Sequence, residues 1–459
     1  MKGVKRMRRG FWKPLVFALI VALVAGCSGG SGSSESSGSS GGSGGGGNSG
    51  SGGSSSGGER VLTYWSPFAG DSAKWDEERI AQFEQATGIK VDVQFVPNGG
   101  LSNGKLLTAI TGGTVPDLVE TDLPALAYGF AAQGSLESWD PYLDQLDIGD
   151  DLLPGFKELM IYDGTTYLVP QDSNVLLLYY NIEMFEEVGL DQKKPPTTLA
   201  ELDEYAEKLT VVNNGNIERM GFIPWTDNGG DAFTWLWLFG SKIYDPETNK
   251  LELTDEKSIE AFRWMNKYAQ KYDPTKLKSF TSGFGGMFSP DHPFMTGKVA
   301  MTVTGNWFTH ALKVYAPHVK YGVTKIPAPP GGREGGSPMN SNVFMIPKGA
   351  KNIDLAIEFV KFAHSPEVNG PNFDQWRSIP ITDSDFDEVS WTKQGDPIYA
   401  IEREVANSPN SGHPGLTRVS TQLSDELIAL RDNVIYNNND PEPLLKALQE
   451  KLQKELDNQ

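Results

Sequence analysis

Only one cysteine, Cys27, stands among the 459 residues. Disulfides, CxxC metal sites and thiolate catalysis in the domain that follows it are excluded by counting alone. The five histidines, at positions 292, 310, 318, 364 and 413, include no pair four apart. The helical HExxH zinc site is therefore missing, and no GxxxxGK[ST] phosphate loop is present either. Positive charge is also scarce, with 40 Lys plus Arg against 59 Asp plus Glu and a formal net charge of −19. Such a surface repels nucleic acid and other polyanions at long range; a phosphorylated ligand is disfavoured rather than excluded, because a local basic pocket can override the field. Asp383, Asp385 and Asp387 imitate the start of a calcium loop, but Glu388 stands where glycine is required and Gln394 where the bidentate glutamate is required. No metal and no cofactor is called for.

What is present begins with a leader. Lys2, Lys5, Arg6, Arg8, Arg9 and Lys13 precede an apolar run over residues 15–25. That is the make-up of a signal peptide, too short to span a membrane as a helix. Leu23-Val24-Ala25-Gly26-Cys27 resembles a bacterial lipobox, in which the cysteine is acylated and becomes the mature N-terminus. Residues 1–26 are expected to be removed and Cys27 to carry lipid. Arg8-Arg9-Gly10-Phe11-Trp12-Lys13 resembles a twin-arginine signal, so that route and the general secretory route both stay open. Losing the six leader cations leaves 34 against 59, a net charge of −25. From 28 to 58 every residue is Gly or Ser except Glu35 and Asn48. This composition buries no core and reads as a tether with an r.m.s. span of roughly 30 Å. The G-x-S-x-G pattern at 41–45 belongs to this low complexity and is no nucleophile elbow.

Residues 59–459 are too many for one ordinary core and predict two lobes. A strand over 61–65, a helix with Trp75, Ile80 and Phe83 inward that Gly88 stops, and a strand through Ile89, Val91, Val93 and Phe95 make a βαβ unit. A parallel sheet follows. Another helix and a strand over 117–120 place Trp65-Ser66 and Thr121-Asp122 at the ends of neighbouring strands. Ligand crevices of open α/β sheets lie there. Asp163-Gly164 predicts a hairpin, and the unbroken apolar run 175–180 predicts a strand buried on both faces. Asn181 is expected to cap a helix, and Thr198 with Glu201 to form a capping box over Leu199, Leu202, Ala206 and Leu209.

The stretch 293–307 is the most informative. Gly297 fits a left-handed helix cap, and Val299, Met301 and Val303 alternating with Ala300, Thr302 and Thr304 predict a strand with one apolar face. Gly305 permits a turn, Asn306 is expected to cap a new helix through its side-chain oxygen, and Trp307 opens that helix. Trp307 therefore either offers its face to a ligand at a strand's carboxyl end or plugs helix to sheet. Over 223–240, Trp235 and Trp237 read as helix core, whereas Trp225, beside Thr226, Asp227 and Asn228, reads as ligand-facing. A Pro- and Gly-rich passage over 325–336 predicts a crossing between lobes. Asp440 and Pro441 start a last helix with Leu444, Leu448, Leu452 and Leu456 on one face.

Five segments carry a likeness: TGGTVPDLVETD at 111–122, LVPQDSNVLLLYYN at 168–181, PPTTLAELDEYAEKL at 195–209, PFMTGKVAMTVTGNW at 293–307 and IPKGAKNIDLAIEFVKF at 346–362. In this order they resemble the sugar-type extracellular solute-binding proteins of bacterial ABC importers, over nearly all of 59–459. The resemblance implies an α/β, two-lobed periplasmic-binding-protein-like fold, each lobe a mostly parallel sheet flanked by helices with a ligand cleft between. The implied segments are 59–172 and 335–380 for the first lobe, and 173–334 and 381–459 for the second. Gln171 and Asp172 would face the cleft at the hinge, with Asn342 close by. Trp65, Trp225 and Trp307 would stack on pyranose rings; Asp122, Gln171, Asp172 and Asn342 would bond hydroxyls, with Ser66 and Asn306 beside them. Arg377 would bond a sugar hydroxyl or an acidic group, or form an ion pair. The implied partners are a carbohydrate, ABC permease subunits and the membrane through Cys27, with no nucleic acid, a monomeric state and an extracytoplasmic location. Two rivals stay open. One is a non-sugar solute such as a peptide on the same scaffold; the other is a secreted carbohydrate-active enzyme, with carboxylates roughly 5–10 Å apart across a cleft.

Overall fold

The computed structural model describes residues 60–458 apart from 147 and 149–151. The leader, Cys27 and the Gly/Ser tether lie outside the described residues. Two sheets organise the body. In chain order the strands are β1 Val61–Ser66, β2 Lys90–Phe95, β3 Leu118–Thr121, β4 Val169–Pro170, β5 Asn174–Asn181, β6 Val211–Asn213, β7 Asn216–Phe222, β8 Val299–Gly305, β9 Tyr321–Thr324, β10 Met339–Asn340 and β11 Val343–Met345.

The first sheet has the order β2, β1, β3, β11, β4. β1 is parallel to β2 and β3, while β11 runs antiparallel to β3 and β4. The opening βαβ unit forms because helix Asp71–Thr87 turns Trp75, Ile80 and Phe83 inward and ends at Gly88, whose φ of 71° suits only a residue without a β-carbon. Helix Ile353–His364 buries Leu355, Phe359 and Val360 over the same sheet's core.

The second sheet has the order β9, β5, β8, β7, β6, with β10 also on β5. β8 is parallel to β7, but β5 runs against β8, β9 and β10. A strand that arrives directly from the other sheet, without a crossover helix, can take that direction. Asn181 caps helix Ile182–Glu187, and Thr198 with Glu201 closes a full capping box on helix Leu199–Leu209. Leu445, Leu448, Leu452 and Leu456 of helix Pro441–Asp457 are buried in this lobe's core, roughly 1.5–3 kcal/mol for each side chain. Among the described residues no helix is long and apolar enough to cross a membrane.

Gly297 is left-handed, but it closes a run of turns rather than a helix. All seven residues of β8 are buried, so the strand has two covered faces instead of one. The threonine face is covered too, because Thr302 and Thr304 find polar partners inside the fold, described below.

Three segments pass side by side between the sheets. The main-chain N–H of Gln171 donates to Asn342 O at 2.8 Å, and Ser173 and Ile379 exchange backbone bonds at 2.7 and 3.1 Å. Residues 341–342 alone separate β10, in the second sheet, from β11, in the first. Buried backbone groups that find partners in one another hold these crossings in register.

Candidate ligand-binding site

The carboxyl end of β8 builds one wall. Thr302 Oγ1 donates to Asp227 Oδ2, and His292 Nε2 reaches Asp227 Oδ1 at 2.8 Å. His292 is fully buried, and its Nδ1 accepts from the Phe294 N–H at 3.3 Å, which leaves Nε2 to donate. Asp227 itself holds a φ of 51° and opens the short turn Asp227–Gly230. Next along the strand, Thr304 Oγ1 donates to Asn228 Oδ1 at 3.1 Å. The strand thus fastens the turn that carries Asn228 to the end from which Trp307 leaves.

Trp307 is partly buried, and its indole N–H donates to the Met287 sulfur. Phe288, next to Met287, is 49% exposed and meets Trp376 at a ring-centroid distance of 6.2 Å with the planes 80° apart. Trp376 in turn lies 4.3 Å from the His310 ring, one turn along the helix that Trp307 precedes. Three aromatic side chains that retain solvent exposure are therefore linked through this loop, Trp307 by its bond to Met287 and Trp376 by its contact with the neighbouring Phe288.

Trp65 and Trp225 are each 8% exposed, and the Lys105 ammonium lies 4.8 Å from the Trp65 ring centre. Ser66 is buried and its Oγ accepts from the Phe68 N–H at 3.3 Å. Asp122 is exposed at the end of β3, and its carbonyl accepts from Asn340 Nδ2 at 3.2 Å. Gln171 is buried, and neither atom of its amide has a hydrogen-bond partner among the described residues. Asp172 is buried beside it and accepts from the Asn342 backbone N–H at 3.0 Å and from Asn342 Nδ2 at 3.0 and 3.1 Å. Burial pushes the Asp172 carboxyl above the ordinary range, against the pull of bonds from Asn342 and Ser378.

Asn306 does not cap the helix Phe308–Tyr315, which receives no side-chain cap. Its Oδ1 accepts instead from the buried Val175 N–H at 3.1 Å, and its Nδ2 donates to the Arg377 carbonyl. The Val175 donor, at the start of β5, outcompetes the helix end because a buried N–H without a partner is costly. Of the roles open to Arg377, the geometry is that of an ion pair. Its guanidinium is bidentate to Asp396 at 2.9 and 3.1 Å, reaches Glu402 Oε1 at 2.9 Å, and lies 4.9 Å from the Trp391 ring centre. Asp383 and Asp387 are occupied in the same way by Arg403, at 3.1 and 2.6 Å, and no cluster of three metal-ligating side chains is found among the described residues.

Residues 69–370 match the model of the bacterial extracellular solute-binding protein family. The chain belongs to that family. Among the relatives of this solute-binding protein, the maltooligosaccharide ABC transporter solute-binding lipoprotein of Streptococcus pneumoniae R6 is 25% identical over 315 residues, 66% of this chain and 68% of its own. The arabinooligosaccharide-binding protein of Bacillus subtilis 168 is 22% identical over 395 residues, 83% of this chain and 84% of its own. The mannotriose-bound structure of CpMnBP1 superimposes with a TM-score of 0.76 at 30% identity, covering 86% of this chain and all of the other. The GacH receptor of Streptomyces glaucescens shares the fold with a TM-score of 0.68 at 22% identity, over 87% of this chain and 99% of its own.

In this solute-binding protein, sequence reasoning missed Met287, Phe288, His310 and Trp376 as members of the aromatic group. Trp376 ends a helix of weak amphipathic pattern. A local signal exists in the left-handed residue that follows it, Arg377 with a φ of 56°, which turns the chain sharply at the end of helix Pro366–Trp376. Met287 and Phe288 sit in a Gly-broken loop with no period to read.

Proposed function

We propose that this solute-binding protein captures an oligosaccharide between its lobes by closure and passes it intact to an ABC import permease, while anchored to the membrane through acylated Cys27. The observation that carries the reading is Trp307: a partly exposed indole at the carboxyl end of a central strand, the same strand end whose buried Thr304 holds the partly exposed Asn228. Pyranose rings ask for that pairing, a flat apolar plate for the C–H face and polar side chains for the hydroxyl rim. The relatives named for maltooligosaccharide and arabinooligosaccharide, and the mannotriose-bound neighbour, support the same ligand class. In this reading the first lobe comprises 59–172 and 335–380, apart from β10, which pairs in the second sheet, and the second lobe 173–334 and 381–459. The bonded crossings at 171–173, 341–342 and 377–379 then act as the hinge about which a ligand shifts an existing open–closed equilibrium.

Calorimetric titration with manno-, malto- and arabino-oligosaccharides tests the reading, with the sugars recovered unchanged by chromatography afterwards and the radius in solution falling at saturation. Absence of binding to every series, or steady hydrolysis by clean protein, overturns it. Anchoring is tested by fractionation: Cys27→Ser should leave the membrane, since stable retention needs more than one acyl chain. Equal retention of both forms would refute the anchor.

A further inference from the structure

The loop 284–292 is built to hold one exposed ring in place. It closes on itself, with the Gly285 N–H donating to Asp291 O at 3.0 Å, the His292 N–H to Ser289 O at 3.1 Å and the Asp291 N–H to Ser289 Oγ at 3.2 Å. A β-carbon on Gly285 would meet Asp291 and Ser289 atoms at 2.8–2.9 Å, so glycine is what lets the loop shut. Its base is tied to the Asp227 turn through buried His292, and Phe294 just beyond is fully buried. Its tip presents Met287, which receives the Trp307 indole N–H, and Phe288, which stands half in solvent against Trp376.

We infer that this loop sets the length of oligosaccharide the protein accepts, with Phe288 as the end wall of the binding site. The inference rests on the oligosaccharide reading above. Because Met287 takes the indole N–H of Trp307, that edge of the ring has no donor left for a sugar hydroxyl, and contact there is face stacking. A chain of rings laid from Trp307 toward Trp376 then meets two aromatic planes 80° apart. A pyranose lying along one plane abuts the other, so the corner stops the chain instead of guiding it onward. A flexible flap would yield to a longer ligand; a loop hydrogen-bonded across its neck and pinned by His292 does not.

The test is calorimetric titration of the wild type, Phe288→Ala and Phe288→Trp with disaccharide to hexasaccharide members of a series that the wild type binds. Wild-type affinity is expected to stop rising at a particular length. Phe288→Ala should move that limit to longer chains and change the ratio of longest- to shortest-chain affinity by roughly tenfold, the scale on which pocket walls discriminate. Phe288→Trp should move it to shorter ones. Both variants should melt with the wild type, because the side chain is half in solvent; if one does not, it is titrated at a temperature where circular dichroism shows it folded. An unchanged length profile in both variants, while Trp307→Ala loses binding, overturns the end wall and leaves the sugar reading standing. A wild type that binds no member of any series overturns both.

Discussion

The six-membered ring of Trp307 occupies the space into which a side chain at Gly305 would project: a β-carbon built on Gly305 falls 2.2 Å from two of its carbons. The glycine is required for room. A single methyl group there must displace the indole from its place against the strand. Gly305→Ala is therefore expected to weaken oligosaccharide binding by roughly tenfold or more, since aromatic contact and its buried area are lost together. It should cost about 1–3 kcal/mol of stability, the usual range for overpacking. Calorimetry and the shift in tryptophan emission check the two effects separately.

Trp307→Ala separates plate from plug. Ligand stacking predicts binding weakened at least roughly tenfold. The indole is only partly buried, so the stability lost should stay below the roughly 3–5 kcal/mol of a fully buried tryptophan. A sharply lowered denaturant midpoint, with the remaining folded protein binding normally, would make Trp307 a core residue.

Removing Arg377 should act on folding. Arg377→Met leaves the buried Glu402 and the half-buried Asp396 without their cation, which typically costs about 3–5 kcal/mol. Burial pushes the Glu402 carboxyl up, and the adjoining Arg377 guanidinium pulls against that rise. Adding Glu402→Gln to Arg377→Met should therefore restore part of the loss, as read from denaturant midpoints. No restoration would mean that the guanidinium acts by stacking on Trp391 and Tyr399.

Asp117 predicts an acid-dependent term. Its buried carboxylate accepts from Thr63 N and Oγ1 at 3.0 and 2.7 Å, from the Lys351 and Asn352 N–H groups at 3.1 and 2.9 Å, and from Asn352 Nδ2 at 3.1 Å. Burial pushes this carboxyl up, but the bonds from Thr63 and Asn352 outweigh it and leave the folded value below the ordinary one. A depressed carboxyl contributes stability above its unfolded pKa of about 3.9 and loses it as the pH falls through the folded value. Asp117→Asn should cost about 2–3 kcal/mol near neutrality, the scale of bonds to a charged group, and the gap to wild type should narrow in acid. Parallel melting curves across pH would contradict this.

Local rules made much of the scaffold legible. Gly88 stops its helix, Asp163 and Gly164 both turn with positive φ, and Thr198 with Glu201 caps a helix, each because the deciding contacts lie within a few residues. The misses share a cause. Thr302 and Thr304 give β8 a polar face, and polarity marks a need for partners without saying whether water or the side chains of Asp227 and Asn228 supply them. Asn306 carried a cap signal, but Val175, 131 positions earlier, offered a buried donor. Trp237 read as helix core, yet it is only partly buried, and the Arg333 guanidinium from the crossing passage lies 3.7 Å from its ring centre. Phe288 and Trp376 meet only in three dimensions, and no spacing along the chain announces their corner.

The position of β11 has a consequence for how the chain is made. It lies between β3 and β4 in the first sheet, yet it is synthesised after every strand of the second. A nascent chain emerging in order therefore cannot finish the lobe it began with until residue 345 is out. Until then the open edges of β3 and β4 are templates for pairing with other chains. The pairing also spans more than 220 positions between Val119 and Met345, a separation that makes closure slow. The early half is thus born incomplete, and any truncation before Val343 should yield an aggregating fragment rather than a free-standing lobe.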